Sequence, residues 1–202
     1  MKSVCLFGAI VGLVLSYSFA SAAPDSITFE GAKWIWYMSG PLPAGVGFFR
    51  AEVELPDDAQ VASAEIAITC DNLFALYLNG LGVGECEVSN SAWGTPRRYD
   101  VTAMLTPGRN VLAVEGVNTL PGAAALIAKL VVRLADGREI VFTSDAGWKS
   151  IPDEKPNWQQ PNFDDSHWPA AHEMGPFGAA PTWGLCESIT RTFAHSSTSR
   201  VT

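Results

Sequence analysis

The chain has 202 residues, of which 48% are hydrophobic and only 17% are charged. This length fits one domain and falls short of an (α/β)8 barrel, which takes about 250 residues. The formal charge of −8 comes from 13 basic and 21 acidic residues, and a nucleic-acid partner is not expected, because the sequence has no basic patch to displace counterions. The 18 Gly, 13 Pro and 7 Trp favour a turn-rich β protein.

Residues 1–22 have the pattern of a secretory signal peptide. Lys2 gives a short positive start, residues 4–19 are almost wholly apolar, and Ala20-Ser21-Ala22 supplies the small side chains of a cleavage site. A membrane anchor is the alternative, but it takes nearer to 20 apolar residues and a polar flank. We therefore expect a secreted or periplasmic protein that has no membrane contact after cleavage.

Alternating apolar residues predict a series of β-strands. The alternation runs through residues 49–55, 64–68, 126–134 and 140–142, while 73–78 and 111–117 are nearly continuous apolar runs. Asn79-Gly80 and Asp136-Gly137 are two-residue hairpin signals, since both central residues tolerate positive φ. Seven or eight short strands of this kind predict an all-β jelly-roll sandwich over residues 27–187, followed by a flexible Ser/Thr-rich tail at 188–202.

Three cysteines remain after removal of the signal peptide. Cys70 and Cys86 bracket one predicted hairpin, which makes them the candidate disulfide in an oxidising compartment. Three buried free thiols are the alternative, because unpaired Cys behaves as a small hydrophobic residue.

We predict no catalytic residues. The sequence contains no G-x-S-x-G elbow and no H-E-x-x-H helix. Asp164-Asp165 is the most obvious carboxylate pair, but neighbouring side chains on a turn diverge, and Asp before Ser in a loop usually bonds to the local backbone.

Oxygen-bearing side chains flank two predicted strands. Asp71 and Asn72 come directly before the strand at 73–78, and Asn118 directly ends the strand at 111–117. If these strands are antiparallel, the three side chains reach the same rim of the sandwich, and they offer the oxygen ligands that calcium prefers. Ordinary turn chemistry is the competing explanation for Asp-Asn before a strand.

Trp93 and Arg97 are the further candidates for ligand binding. Trp93 lies in the long loop between the two strands, where an exposed indole can cover the C–H face of a sugar while the oxygens bind its hydroxyls. Arg97, like Arg98, can bind a hydroxyl or an acidic sugar, and a surface strand edge explains both arginines equally well. Trp93 packed in the core is the alternative for the indole.

Several motifs together resemble a known family. They are residues 32–36 (AKWIW), Phe49-Arg50, 64–80 with Cys70-Asp71-Asn72, 99–102 (YDVT), 110–114 (NVLAV) and 163–171 (FDDSHWPAA). The chain over about residues 30–184 is similar to the galactose-binding-like N-terminal sandwich module of bacterial α-L-rhamnosidases. The resemblance implies packed positions for Trp34, Trp36, Trp148 and Trp168.

Some relatives in that superfamily are calcium-dependent rhamnose-binding modules, in which an Asp-Asn pair, a later Asn and a nearby Trp meet ion and sugar. Asp71, Asn72, Asn118 and Trp93 occur here in a similar order. The resemblance thus implies a non-catalytic module for a rhamnose- or galactose-like terminal sugar on extracellular glycans. The alternative is a structural or protein-interaction sandwich that docks onto a separate glycosidase or an envelope protein.

Overall fold

The computed structural model describes residues 27–86 and 92–178. The predicted signal peptide and the predicted tail lie outside these ranges. Within them, eleven strands follow one another: β1 (Lys33–Trp36), β2 (Gly45–Leu55), β3 (Val61–Asp71), β4 (Leu73–Leu78), β5 (Leu81–Glu85), β6 (Arg97–Asp100), β7 (Gly108–Asn118), β8 (Ala125–Leu134), β9 (Glu139–Thr143), β10 (Lys149–Ile151) and β11 (His172–Pro176). Short 3₁₀ turns occur at Ala92–Gly94 and Thr102–Met104.

The strands form two antiparallel sheets. The first sheet has the order β11-β1-β8-β3-β6, with β9 also paired to β8, and the second has the order β10-β2-β7-β4-β5. Successive side chains of a strand point to opposite faces of its sheet, so every second side chain points into the core between the two sheets. The all-β sandwich predicted from the sequence is therefore confirmed.

The main core lies between the two sheets. From the first sheet, β3 contributes Ala64, Ile66, Ile68 and Cys70, and the second sheet meets them with residues that include Phe49, Leu76 and Val114. The predicted packing of the tryptophans is confirmed for three of the four. Trp36 and Trp148 lie in this core, and Trp34 is fully buried in a second cluster, whereas Trp168 is only half-buried beside a third cluster.

The third cluster covers the outer face of the second sheet. The segment after β10 folds back so that Trp158 stacks edge-on against Phe48 and Tyr77, with ring centroids 5.1 and 5.8 Å apart. Beneath it lies the guanidinium of Arg50, whose side chain is fully buried and forms a 2.8 Å ion pair with Asp165. A flank rich in Trp, Pro and Asp thereby becomes part of the folded domain.

The two predicted hairpin turns differ in geometry. Asn79 and Gly80 both have positive φ, 53° and 80°, as a two-residue type I′ turn requires. In the second turn only Gly137 has positive φ, 89°, and the chain closes through Gly137 N donating to Leu134 O and Leu134 N donating to Arg138 O. The loop from β8 to β9 is therefore longer than the predicted two residues.

The predicted disulfide between Cys70 and Cys86 is not formed in the structure, where both are free thiols. Cys70 points into the core between the sheets. The Cys86 sulfur instead accepts a hydrogen bond from Phe74 N at 3.1 Å, so its position is fixed by the backbone of β4. Burial raises the pKa of both thiols, which keeps them protonated and weakly reactive.

No helix within residues 27–86 and 92–178 is long and apolar enough to cross a membrane.

Candidate functional site: a polar rim between the two sheets

The predicted ligand residues lie where the chain passes from one sheet to the other. Asp71 ends β3 in the first sheet and Leu73 begins β4 in the second, so the connection between these two strands is the single residue Asn72. β4 runs antiparallel to β7, with Leu73 opposite Val117, and Asn72 N donates to Val117 O at 2.7 Å. The antiparallel arrangement required by the sequence argument is thus present.

The side chain of Asn72 forms hydrogen bonds with Asp71 at the end of β3 and with Thr119 just after β7. Its Nδ2 donates to Asp71 Oδ1 at 2.7 Å, and its Oδ1 accepts from both the backbone N and the Oγ1 of Thr119, at 2.9 and 2.8 Å. These two hydrogen bonds occupy both lone pairs of the amide oxygen. Asn72 therefore holds Asp71 and the residue after Asn118 in fixed relative positions.

Asn118 carries a buried side-chain oxygen. The residue is 2% exposed, and its Nδ2 donates to Pro43 O at 2.8 Å. Its Oδ1 is buried and has no hydrogen-bond partner within residues 27–86 and 92–178, and the same holds for Arg50 Nη2 in another part of the fold. Because more than nine-tenths of buried polar groups in proteins have a partner, this oxygen can accept a further donor or bind a cation.

The types of oxygen at the rim suit a hard cation. Asp71, which is 8% exposed, supplies a carboxylate, and Asn118 Oδ1 supplies a neutral oxygen, both of which suit calcium. In the described part of the chain, no group of three or more His, Cys, Asp and Glu side chains is placed to hold a metal. A site here would be completed by backbone oxygens and water rather than by further carboxylates.

Trp93 lies on the β3 side of the rim. It sits in the 3₁₀ turn Ala92–Gly94, and its carbonyl accepts a hydrogen bond from Thr69 Oγ1 at 3.1 Å. Thr69 is two residues before Asp71, so the two side chains share a face of β3. Trp93 is half-buried rather than packed in the core.

Arg97 begins β6 and lies opposite Ile68 of β3. Burial raises the pKa of Cys86, and the positive charge of Arg97 opposes that effect. Arg98 faces differently, since it pairs with Glu65 at 2.9 Å and donates to Ile27 O. The structure therefore separates two neighbouring arginines that the sequence treated alike.

Thr119 and Pro43 are members of the rim that the sequence analysis missed. Thr119 directly follows Asn118, which is a signal that sequence inspection can use. The role of Pro43 depends on the pairing of β2 with β7, in which Gly45 lies opposite Asn118, and this contact is not visible in the sequence.

A separate cavity of about 480 Å³ lies on another side of the molecule, with Arg50, Glu52, Phe142, Trp148 and Lys149 among its lining residues. Asp165 in its wall binds Arg50 at 2.8 Å and Lys149 at 2.7 Å. Arg50 Nη2 is buried and has no hydrogen-bond partner in the described part of the chain. Asp164 bonds to Ser166 N at 2.9 Å, the local backbone contact that the sequence predicts.

The chain as a whole is similar to parts of known proteins. No family model matches the chain. Over 174 residues it is 39% identical to an α-L-rhamnosidase of Streptomyces avermitilis, a match that covers 81% of this chain and 16% of the enzyme. The chain resembles part of an α-L-rhamnosidase. It spans about a sixth of the length of that enzyme.

Two solved structures extend the comparison. A crystal structure of the S. avermitilis α-L-rhamnosidase in complex with L-rhamnose superimposes with a TM-score of 0.76 and 37% identity, over 84% of this chain and 17% of that one. A lectin from Pleurotus ostreatus in complex with GalNAc gives 0.72 and 30%, over 82% of this chain and 48% of that one. The sandwich is thus similar both to part of an enzyme and to part of a lectin.

Proposed function

We propose that this chain is a non-catalytic carbohydrate-binding module that holds a terminal sugar at the rim formed by Asp71, Asn72 and Asn118. The observation that carries the proposal is the buried Oδ1 of Asn118, for which the described part of the chain supplies no hydrogen-bond partner. Similarity to a lectin in complex with GalNAc and to a rhamnosidase in complex with L-rhamnose supports a sugar ligand. L-rhamnose is the first candidate, because the identity is higher to the protein that is complexed with it.

Calcium is the proposed cofactor. Asp71 and Asn118 are its proposed side-chain ligands, since a carboxylate and an amide oxygen are of the type that calcium prefers. Asn72 was predicted as a third ligand, and its Oδ1 joins the ion only when Thr119 releases it. Asp71 and Asn118 would hold the ion, and a bound calcium would supply a positive charge to which sugar hydroxyls bind. One carboxylate gives weak affinity, with Kd on the order of 10⁻⁴ to 10⁻³ M, as in extracellular modules.

Two side chains complete the proposed sugar site. Trp93 supplies an apolar surface for the C–H groups of the ring, because its turn lies on the same face of β3 as Asp71. Arg97 is a donor to a hydroxyl at the border of the site. A secreted or periplasmic location, with removal of residues 1–22, suits a low-affinity calcium site, since calcium is abundant outside the cytoplasm.

Calorimetric titration tests the proposal. The purified protein is titrated with L-rhamnose, galactose and GalNAc, once in 10 mM calcium and once in a chelator. We expect heat with at least one sugar in calcium and its loss in the chelator. The same calcium should stabilise the fold by about 1.4 to 2.7 kcal/mol at these affinities, measured by urea unfolding.

Matched variants locate the site. Asp71→Ala should abolish sugar binding and the stabilisation by calcium. Asp136→Ala is the control, because Asp136 is exposed in the turn after β8, about 30 Å along that strand from the partner of Asp71. Full sugar affinity in Asp71→Ala would remove the ion site. If the folded wild type gives no binding heat with any of the sugars, the result would instead favour a protein-interaction module.

A further inference from the structure

The cavity lined by Arg50 and Lys149 lies beside β2 where its pairing with β10 ends. β10 pairs with residues 48–50 of β2, and the next three residues of β2, 51–53, line the cavity. β9 contributes residues 141–143 to the same lining. The volume of about 480 Å³ is within the range of small-molecule sites.

One end of this cavity carries an excess of positive charge. Arg50, Lys149 and Asp165 all line the cavity, and Asp165 accepts from Arg50 Nε at 2.8 Å and from Lys149 Nζ at 2.7 Å. Two positive charges therefore share one carboxylate. A bound anion would neutralise the second positive charge.

Two further carboxylates line the cavity, and each has a partner of its own. Glu52 pairs with Arg109 at 2.6 Å, and Asp145 Oδ1 accepts from Gly147 N at 2.8 Å. Because the Asp145 carboxylate would repel an anion, the anionic group of a ligand belongs at Arg50 and Lys149.

Arg50 and Lys149 both retain hydrogen-bond donors. The Arg50 side chain is fully buried, and its Nη2 has no hydrogen-bond partner in the described part of the chain. Lys149 Nζ also donates to Asp165 O at 3.1 Å, which leaves one of its three hydrogens. Since the Lys149 side chain is 37% exposed, it is the donor that an incoming ligand meets first. A carboxylate accepts strong, charge-assisted hydrogen bonds from both kinds of donor.

Much of the remaining lining is apolar. Val53, Leu112 and Trp148 are buried, whereas Val141 is 45% exposed. Trp148 Nε1 donates to Thr143 O at 3.0 Å, so the indole is held in place. A ligand that covers the exposed valine has an apolar part as well as its anionic group.

We propose that this cavity binds a small organic acid, with its carboxylate at Lys149 and Arg50 and its ring against the apolar lining. The inference does not rest on the proposed function, since Asp71, Asn72 and Asn118 are not among the described residues that line this cavity. Aromatic acids and uronic acids both carry a carboxylate on a six-membered ring. The apolar lining favours an aromatic acid, because ring hydroxyls would lose water there without gaining partners.

NMR titration of the purified protein in the absence of calcium tests the site with benzoate, benzamide and D-glucuronate. We expect benzoate to shift the backbone amides of residues 141–143 and 147–149. Benzamide should bind about tenfold more weakly, because it has the same ring without the charge, and D-glucuronate should also bind more weakly. Tighter binding of D-glucuronate would support the carboxylate site and assign it to acidic sugars.

Lys149→Gln should weaken benzoate binding by about tenfold, and Arg50 still pairs with Asp165 in this variant. Lys155→Gln is the matched control, because Lys155 is exposed and lies outside the cavity lining. Both Lys155→Gln and Asp71→Ala should bind benzoate as the wild type does.

Two results would overturn the carboxylate site: equal affinity of the wild type for benzoate and benzamide, or unchanged benzoate affinity in folded Lys149→Gln. Absence of saturable shifts at the cavity with both benzoate and D-glucuronate would overturn the cavity as a ligand site. The sugar titration at the rim is independent of these outcomes.

Discussion

Replacing Asp165 by alanine should strongly destabilise the fold. Its carboxylate pairs with Arg50 of β2, which lies 115 positions earlier in the chain. The carboxylate is 7% exposed and accepts from Arg50 Nε at 2.8 Å and from Lys149 Nζ at 2.7 Å. The Arg50 side chain is completely buried, and its other hydrogen bonds are to the carbonyls of Trp158 and Gln160. Without Asp165, the guanidinium is a buried charge with no counterion.

The magnitude follows from that burial. Removing one partner of a buried pair costs about 3 to 5 kcal/mol, because the remaining charge is desolvated and unpaired. With a urea dependence of about 2 kcal/mol per molar for a domain of this size, the unfolding midpoint should fall by about 2 M. Replacing both partners, Arg50→Met with Asp165→Leu, should recover most of the loss, since no charge is then left buried.

The contribution of Asp165 to the free energy of unfolding decreases at low pH. Burial by itself raises the pKa of Asp165, but hydrogen bonds from Lys149 and Arg50 outweigh burial, and the pKa lies below its ordinary value. The stabilisation is therefore complete above the ordinary pKa near 4 and is lost as the pH falls through the lower, folded value. The difference between wild type and Asp165→Ala should shrink only below about pH 4.

Urea unfolding followed by tryptophan fluorescence measures both effects. Asp164→Ala is the matched control, because this neighbouring carboxylate is exposed and its hydrogen bonds are to Ser166, two residues away. It should lower the midpoint much less than Asp165→Ala. If Asp164→Ala and Asp165→Ala unfold at the same urea concentration, the reasoning from the buried charge is refuted.

Two further predictions concern the second sheet. Gly84→Ala should destabilise the fold by about 1 to 3 kcal/mol, since a Cβ there would lie 2.3 Å from the Tyr99 ring, whereas Gly82→Ala meets nothing within 4 Å; equal urea midpoints for the two variants would contradict this packing. Burial, assisted by Glu154, raises the pKa of Glu115, so its charge is unfavourable above the raised value and absent below the ordinary one. Glu115→Gln should therefore stabilise the protein at pH 7 and not at pH 4, and a gain that is the same at both would show that charge is not the cause.

Local patterns were sufficient to predict most strands and the class of fold. Alternation in β3 and β8 follows from a sheet with one face on the core, and such a pattern is visible in the sequence because the period of a strand is two. The Asn79-Gly80 turn was equally predictable, since few residues tolerate positive φ at both positions. The Asp136-Gly137 turn was not, because its length depends on how β8 and β9 pair.

The order of the candidate rim residues could be read from the sequence, but their connections could not. Asp71, Asn72 and Asn118 stand at strand ends, and antiparallel pairing of β4 with β7 brings them together. Contacts between distant segments decide which amide oxygen accepts a hydrogen bond. Thr119 donates to Asn72 Oδ1, whereas the contact between Asn118 and Pro43 uses Asn118 Nδ2 as the donor. Whether these side chains bind calcium or sugar stays a prediction.

The sequence by itself determined the period of each strand, the apolar faces and the positions of oxygen-bearing side chains, because these depend on neighbouring residues. The tertiary structure decided which distant groups meet. It left the Cys70 and Cys86 thiols unbridged and paired Asp165 with Arg50 across 115 positions. Among the described residues, it placed no hydrogen-bond donor at Asn118 Oδ1. Such outcomes depend on how the two sheets pack face to face. A pattern of neighbouring residues does not specify which residues of distant segments come into contact.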